Sequence, residues 1–323
     1  MDIEKILEEK GKLIDKEIEK VFPKKGIENL NDAVYYHLDT GGKRIRPVLA
    51  IITCESLSGS VNQVLPFAAA CEILHNWLLI HDDIEDGDQV RRNKPSVWAK
   101  YGLAHGVNIG DYMTQKVYEL ILSSKEYDVD NETVFHLVNT MINTAVKTAE
   151  GQAQEINLRN NDNPTEQEYM EMITNKTAYY MTVPVIGGAL IAKRNDLVDR
   201  IIEFGKLAGP AFQIADDLLD LTKGKGRNEI GRDIKEGKRS LLAIHCLNNC
   251  EEKDKLLEIL NKPVEATSDD EVLFVKQLFE KHGSIEYAKN KADDLLNKAK
   301  QIISGTDLGF LEAFADYLVN RKK

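Results

Sequence analysis

Proline, cysteine and strand-like alternation are all in short supply in this chain. Its 323 residues hold only eight prolines, and none lies within 96–163 or 211–262. Helices can run there without the ring clash and lost N–H that proline imposes. Period-two apolar patterns are scarce, which argues against a fold built on sheets. The four cysteines, Cys54, Cys71, Cys246 and Cys250, form no CxxC pair. Buried thiols in a reducing compartment are therefore expected rather than a zinc site. Positive charge is short too: 42 Lys and Arg against 53 Asp and Glu leave a formal net charge of −11, which excludes general nucleic-acid binding. No unbroken apolar run reaches the length of a bilayer span. The opening "MDIEKILEEKGKLIDKEIEK" lacks the basic-then-apolar order of a secretory signal. The expectation is a cytoplasmic protein with no membrane span.

What is present is helical periodicity. Ile3, Ile6, Leu7, Ile14, Ile18 and Val21 recur at the spacing of an amphipathic helix. Loop signals follow at "GG" (41–42), "ESLSGS" (55–60), "SSKEYDVDN" (123–131), "NLRNNDNPTEQ" (157–167), "TKGKGRNE" (222–229), "NKPVEATSDD" (261–270) and "SGTD" (304–307). Between them lie segments of roughly 15–30 residues with helical patterning. No linker rich in Gly, Ser or Pro and no internal repeat divides the chain. The reading is an all-α fold, a large helical bundle forming one domain over 1–323, with segments after about 267 able to pack as a subdomain.

Two acidic clusters carry the chemistry. "HDDIEDGDQVRRNKPS" (81–96) follows the apolar run "ILHNWLLI". On a helix over 65–87, Asp82 and Asp86 share a face with His75. Like charges four residues apart repel, and a cation relieves them. Mg²⁺ prefers such carboxylate oxygens, completing its shell with substrate phosphates. A single DDxxD is as readily a solvated helix end. The second, "FQIADDLLDLT" (212–222), repeats the form with Asp216, Asp217 and Asp220, and Leu218 and Leu219 between the acids imply a partly buried face. The two could face each other across a bundle cavity. Basic residues gather beside these acids and beside glycine turns: Lys43, Arg44 and Arg46 in "GGKRIRP", then Arg91, Arg92, Lys176, Lys235 and Lys238. Guanidinium and ammonium groups suit phosphate oxygens, although any one of them is more often solvated surface.

In order along the chain, "GGKRIRP", "HDDIEDGDQVRR", "GQAQE" (151–155), "NKT", "FQIADDLLD" and "GRDIKEGKRS" resemble the trans-isoprenyl diphosphate (polyprenyl) synthases, and specifically their short-chain geranylgeranyl and farnesyl members. The resemblance implies an all-helical bundle around a deep cavity, a homodimer, and Mg²⁺ as cofactor, with Mn²⁺ an acceptable substitute. It implies isopentenyl diphosphate and allylic diphosphates of C5, C10 or C15 as substrates. Carried over by position, Asp82 and Asp86 hold magnesium on the allylic diphosphate, and Asp216, supported by Asp220, holds another. Arg91, Lys176, Thr177, Gln213 and Lys238 hold that diphosphate. Lys43, Arg46, His75 and Arg92 hold the diphosphate of isopentenyl diphosphate. Lys176 and Thr177, at a helix break in "MITNKTAYY", also stabilise the allylic cation. His75 on residue grounds alone reads as a helix histidine satisfied by a neighbouring backbone group or acid. The chain departs from the family pattern at Asn93 and Ser96, where Gly and Thr are common, and at the variable Glu85. It also has Asn228 where a lysine is common, with Lys225 or Arg227 as candidate replacements.

Product length is expected to follow the bulk below the first acid cluster. Trp77 and Leu78 are the fifth and fourth residues before Asp82, and Trp77 lies roughly 7–8 Å deeper along the helix. Core packing alone would also account for Trp77. An aromatic at the fifth place with a non-aromatic at the fourth resembles the geranylgeranyl (C20) subgroup; the farnesyl (C15) reading stands as the alternative. A terpene cyclase or a head-to-head synthase would carry a different second metal motif. A non-catalytic regulatory subunit would have no need of both clusters.

Overall fold

A computed structural model describes residues 3–222 and 230–319; Lys225, Arg227 and Asn228 fall outside the described residues. The chain is almost wholly helical there. It opens with α1 (Ile3–Val21), α2 (Asn31–Leu38), α3 (Ile45–Ser56) and α4 (Val61–Glu85). A two-stranded antiparallel hairpin, β1 (Val90–Arg91) and β2 (Lys94–Pro95), pairs Val90 with Pro95 and Arg91 with Lys94. Then come α5 (Val97–Tyr101), α6 (Leu103–Ser123), α7 (Asn131–Leu158), α8 (Glu166–Ile173), α9 (Tyr179–Ile191) and α10 (Val198–Asp220). The remainder is α11 (Arg232–Lys235), α12 (Leu241–Asn249), α13 (Lys253–Leu260), α14 (Asp269–Lys281), α15 (Ser284–Ile303) and α16 (Phe310–Val319). Pro66, Pro184 and Pro210 sit in helix interiors, and Pro47 lies in the first turn of α3.

The helices divide into two compact units: residues 1–143 with 183–201, and 144–182 with 202–323. In the first, α4 is apolar on nearly every side, with Val64, Phe67, Ala68, Ile73, Leu74 and Ile80 all buried; such a helix belongs at the centre of a core. Burying each large side chain contributes about 1.5–3 kcal/mol. By length and hydropathy α4 also suffices to cross a membrane, but 67% of its most apolar stretch is buried in protein. Small residues let neighbours close on it: Gly106 of α6 lies under Ile84 and Trp98, and Gly187 of α9 lies against Phe67. The second unit holds α8, α12, α14, α15 and α16. Capping boxes at Thr165–Glu168 and Ser268–Glu271 start α8 and α14, each satisfying orphan amides at the helix start. The segments after 267 lie within this unit. Of the cysteines, Cys54, Cys71 and Cys246 are buried and Cys250 is half-buried, all as free thiols.

Candidate active site

In the first unit the acidic stretch lies at the end of α4. The helix covers Val61–Glu85 rather than 65–87, so Asp82 is in its last turn and Asp86 is its C-cap, with the Asp86 amide donating to the Asp82 carbonyl at 2.9 Å. Asp82 and Asp86 are half-buried, whereas Asp83 is fully buried. Asp83 accepts from Nε of Arg91 at 2.7 Å and also from Nη2 of the same guanidinium. Burial pushes the Asp83 carboxyl up to about 6, against the opposing pull of Arg91. The Trp98 indole N–H bridges the carbonyls of Asp83 and Asp88, each at 2.9 Å, and holds the chain as it leaves α4.

The hairpin places the arginines. Arg92 and Asn93 both have left-handed backbones, φ 52° and 62°, the requirement of a two-residue turn whose twist matches its strands. Asparagine tolerates that conformation, which explains how it replaces glycine at 93. Arginine there is strained, and its guanidinium is held by the Gly41 carbonyl and by the Thr40 hydroxyl at 3.2 Å. A Cβ on Gly42, whose φ is +147°, would come within 3.2 Å of that guanidinium. The "GG" turn is thus the seat of Arg92. Lys43 stands exposed on the same turn and Arg46 is half-buried on α3.

His75 sits among cations. Burial, then Arg46, Arg92, His37 and Arg91, hold its imidazole well below the ordinary range. His37 of α2 is buried and kept down at about 3 by burial and by Arg92 and Arg91. Arg44, part of the same basic stretch, instead pairs with buried Glu72 at 2.7 Å and serves the fold. Lower on α4, the half-buried Trp77 donates its indole N–H to Nδ1 of His81 at 3.2 Å; Leu78 is also half-buried.

In the second unit, residues Thr174–Ala178 form a π-helical turn, so the expected break in "MITNKTAYY" is a widened turn between α8 and α9, a device common at functional sites. "GQAQE" docks onto it. Lys176 donates to Glu155 at 3.0 Å, Arg159 donates to the other oxygen of Glu155 at 2.9 Å, and Asn175 donates to Gln154 at 3.0 Å. Burial alone would raise the Glu155 carboxyl, but Lys176, Lys238 and Arg159 outweigh it and bring it down to about 2. Thr177 donates to Gln213 at 3.1 Å, Gln213 donates to Asp217 at 3.0 Å, and the buried Tyr169 donates to the second oxygen of Asp217 at 2.7 Å. Asp220 is buried and accepts from the Asp233 amide at 3.0 Å. Lys238 pairs with Asp233 at 3.2 Å and Glu236 at 2.8 Å. Lys235 is buried and pairs with Asp269 at 2.8 Å. Asp216 is half-buried.

Both acid clusters follow one plan. The second acid of each pair, Asp83 or Asp217, is buried and anchors a basic or polar side chain. The first, Asp82 or Asp216, stays half-buried. The residues that sequence reasoning missed are anchors: His37, Asp83, Glu155, Tyr169 and Asp233; Asp217 was noted in its cluster, but not as an anchor. The only local signal was the doubled aspartate and the terminal acid of "GQAQE".

A close approach supports the π turn and makes it testable. A Cβ on Gly151 would lie 2.3 Å from the Lys176 amide nitrogen and 2.6 Å from its Cα, and backbone atoms cannot move aside cheaply. Gly151→Ala is expected to destabilise the protein by about 2–3 kcal/mol and to lower its thermal midpoint by several degrees. An unchanged midpoint in calorimetry would show that the two segments do not pack this tightly.

Comparison with known proteins follows the same outline. The family model described as polyprenyl synthetase matches residues 27–278. A protein of Methanosarcina mazei named geranylgeranyl diphosphate synthase is 35% identical over 321 residues, covering 96% of this chain and 95% of that one. A protein of Natronomonas pharaonis named geranylfarnesyl diphosphate synthase is 30% identical, covering 99% and 98%. The crystal structure of geranylgeranyl pyrophosphate synthetase from Pyrococcus horikoshii superposes with a TM-score of 0.89 at 31% identity, covering 99% of this chain and 98% of that one.

Proposed function

The chain belongs to the polyprenyl synthetase family, and from that premise we propose that it is a prenyltransferase joining isopentenyl diphosphate head-to-tail to allylic diphosphates, with geranylgeranyl diphosphate (C20) as its product. The observation that carries the reading is the cationic setting of His75 beside the acidic end of α4. Arg46, Arg91 and Arg92 all weigh on one imidazole, and an anion belongs where guanidiniums converge. The family match from 27 to 278 runs through both units and supports their acting as one synthase domain.

The donor chemistry fits magnesium. Asp82, Asp86 and Asp216 offer half-buried carboxylate oxygens, with Asp220 in support. Among the described residues no three His, Cys, Asp or Glu side chains form a ready-made metal cage. Carboxylates in ones and twos suit an ion that takes its remaining ligands from phosphates and water, and Mn²⁺ meets the same description. When bound, such an ion offsets charge on the departing diphosphate.

The chain's own groups do the rest. Asp83 takes the Nε and Nη2 edge of Arg91, which leaves Nη1 for an allylic phosphate oxygen. In the second unit Lys176, Gln213 and Lys238 are the donors assigned to a diphosphate, and Thr177, whose hydroxyl donates to Gln213, orients that amide. Their orientation precedes the reaction, so no reorganisation is needed as charge develops. Lys43, Arg46, His75 and Arg92 hold isopentenyl diphosphate. The allylic C–O bond breaks with its electron pair leaving on pyrophosphate. The isopentenyl double bond supplies the pair for the new C–C bond, and the proton lost afterwards passes to pyrophosphate. Lys176 and Thr177 in the π turn place their dipoles toward the cation. Water has to be excluded, because it would capture the cation as an alcohol.

Trp77 is the floor against which the growing tail stops. The partner is a second copy of the chain: α6 and α7 expose Leu103, Val107, Leu122, Phe135 and Ile142, apolar side chains of the kind a homodimer covers. The test is incubation of purified protein with Mg²⁺, isopentenyl diphosphate and each of the C5, C10 and C15 starters. The expected end product is C20, and Trp77→Ala extends it. A C15 end product would keep the chemistry and overturn the length; no condensation with any starter would overturn the function.

A further inference from the structure

Bulk at position 77 needs only an aromatic ring, and phenylalanine would supply it. This chain has tryptophan, whose ring carries a polar edge, and that edge is in use. The indole N–H donates to Nδ1 of His81 at 3.2 Å, and the two rings meet edge to face at 6.2 Å between centroids and 82°. Positions 77 and 81 are one helical turn apart, so both side chains leave α4 on the same face. With Nδ1 accepting, the neutral imidazole carries its proton on Nε2, which faces the Val107 carbonyl of α6 at 3.5 Å. The Asp111 carboxylate lies 4.0 Å from the same nitrogen. The far side of the ring is closed by Gly110, where a Cβ would come within 2.1 Å of Nε2. The imidazole is therefore wedged against α6 and presents one fixed acceptor to the tryptophan.

We infer that His81 is a specificity-determining positioning residue: it anchors the Trp77 indole through the Nε1–H to Nδ1 hydrogen bond, and Gly110 of α6 provides the space in which it stands. The inference rests on the reading of Trp77 as the floor of the product pocket. An unanchored ring swings aside under the pressure of an extending tail. An anchored one must first break a part-buried hydrogen bond. The tryptophan thus stops elongation by rigidity as well as by size, and the histidine next to the metal-binding aspartate sets chain length as well as completing the helix end.

The test reads the ratio of products one isoprene unit too long to products of normal length, in folded variants checked by circular dichroism. Trp77→Phe keeps an aromatic ring and loses the N–H. It is expected to raise the ratio roughly fivefold, the size of one lost neutral hydrogen bond. His81→Leu does the same, and the double variant adds nothing further, because the two changes remove one interaction. His81→Asn, whose Oδ1 takes the place of Nδ1, restores the normal ratio. A ratio unmoved in both Trp77→Phe and His81→Leu, while Trp77→Ala lengthens the product, would overturn the anchor and leave the floor intact. Additive effects in the double variant would also overturn it. If Trp77→Ala fails to lengthen the product, the floor itself falls and the anchor with it. If the wild-type protein condenses no starter, the functional reading fails first.

Discussion

Asp82→Ala is expected to lower the rate of condensation by roughly 10³–10⁴-fold, the loss that follows when about 4–6 kcal/mol of charge stabilisation is withdrawn from a departing diphosphate. The expectation comes from the division of labour within each acid pair. Asp83 is buried and committed to Arg91, so it cannot turn outward to replace its neighbour. Asp86, the C-cap of α4, would be the single remaining carboxylate of the cluster for the proposed ion, and one carboxylate holds a divalent cation more weakly than two. Asp216→Ala is expected to fall in the same range, because Asp217 is held by Tyr169 and Gln213 and Asp220 by the Asp233 amide. Single-turnover assays at saturating magnesium separate this loss from weaker metal binding. Activity within tenfold of wild type in either variant would show that the carboxylate in question is not a metal ligand.

The same division explains what the sequence disclosed and what it withheld. Helix content was legible from the scarcity of proline and from apolar spacing, because those act within a few residues. The acid clusters themselves, the half-buried Asp82, Asp86 and Asp216 and the buried Asp220, were legible as a pattern because a repeated spacing of four is itself local. The partners of the inner acids were not. Tyr169 lies 48 positions from Asp217, and His37 reaches Arg91 and Arg92 only after the chain has folded α2 near the hairpin. Neither pairing leaves a mark on the local pattern. The departure at Asn93, where Gly is common, was visible in the sequence, but the left-handed turn that tolerates it was not. Arg44 illustrates the opposite error of grouping: it shares the "GGKRIRP" stretch with Lys43 and Arg46, yet its guanidinium faces inward to Glu72. The "NKT" and "GQAQE" motifs were both visible, but not that one is the counterpart of the other.

That last pairing governs the behaviour of the second unit in acid. Glu155 is buried, and the fold holds its carboxyl at about 2 against an ordinary 4.5. A depressed value means that folding favours the ionised form. The stabilisation is therefore complete above about pH 4.5, shrinks as the pH falls, and is gone below about pH 2. Its full size is about 3 kcal/mol, and about 2 kcal/mol of that disappears between pH 6 and pH 3. Glu155→Gln removes the titration and leaves Lys176 and Arg159 beside a neutral amide. Urea unfolding at the two pH values should show the stability gap between wild type and variant narrowing by about 2 kcal/mol as the pH falls. A gap that stays constant would mean that Glu155 is not the acid-sensitive clasp of the π turn. A narrowing gap would tie the geometry of Lys176 to the charge of one carboxylate 21 residues earlier in the chain.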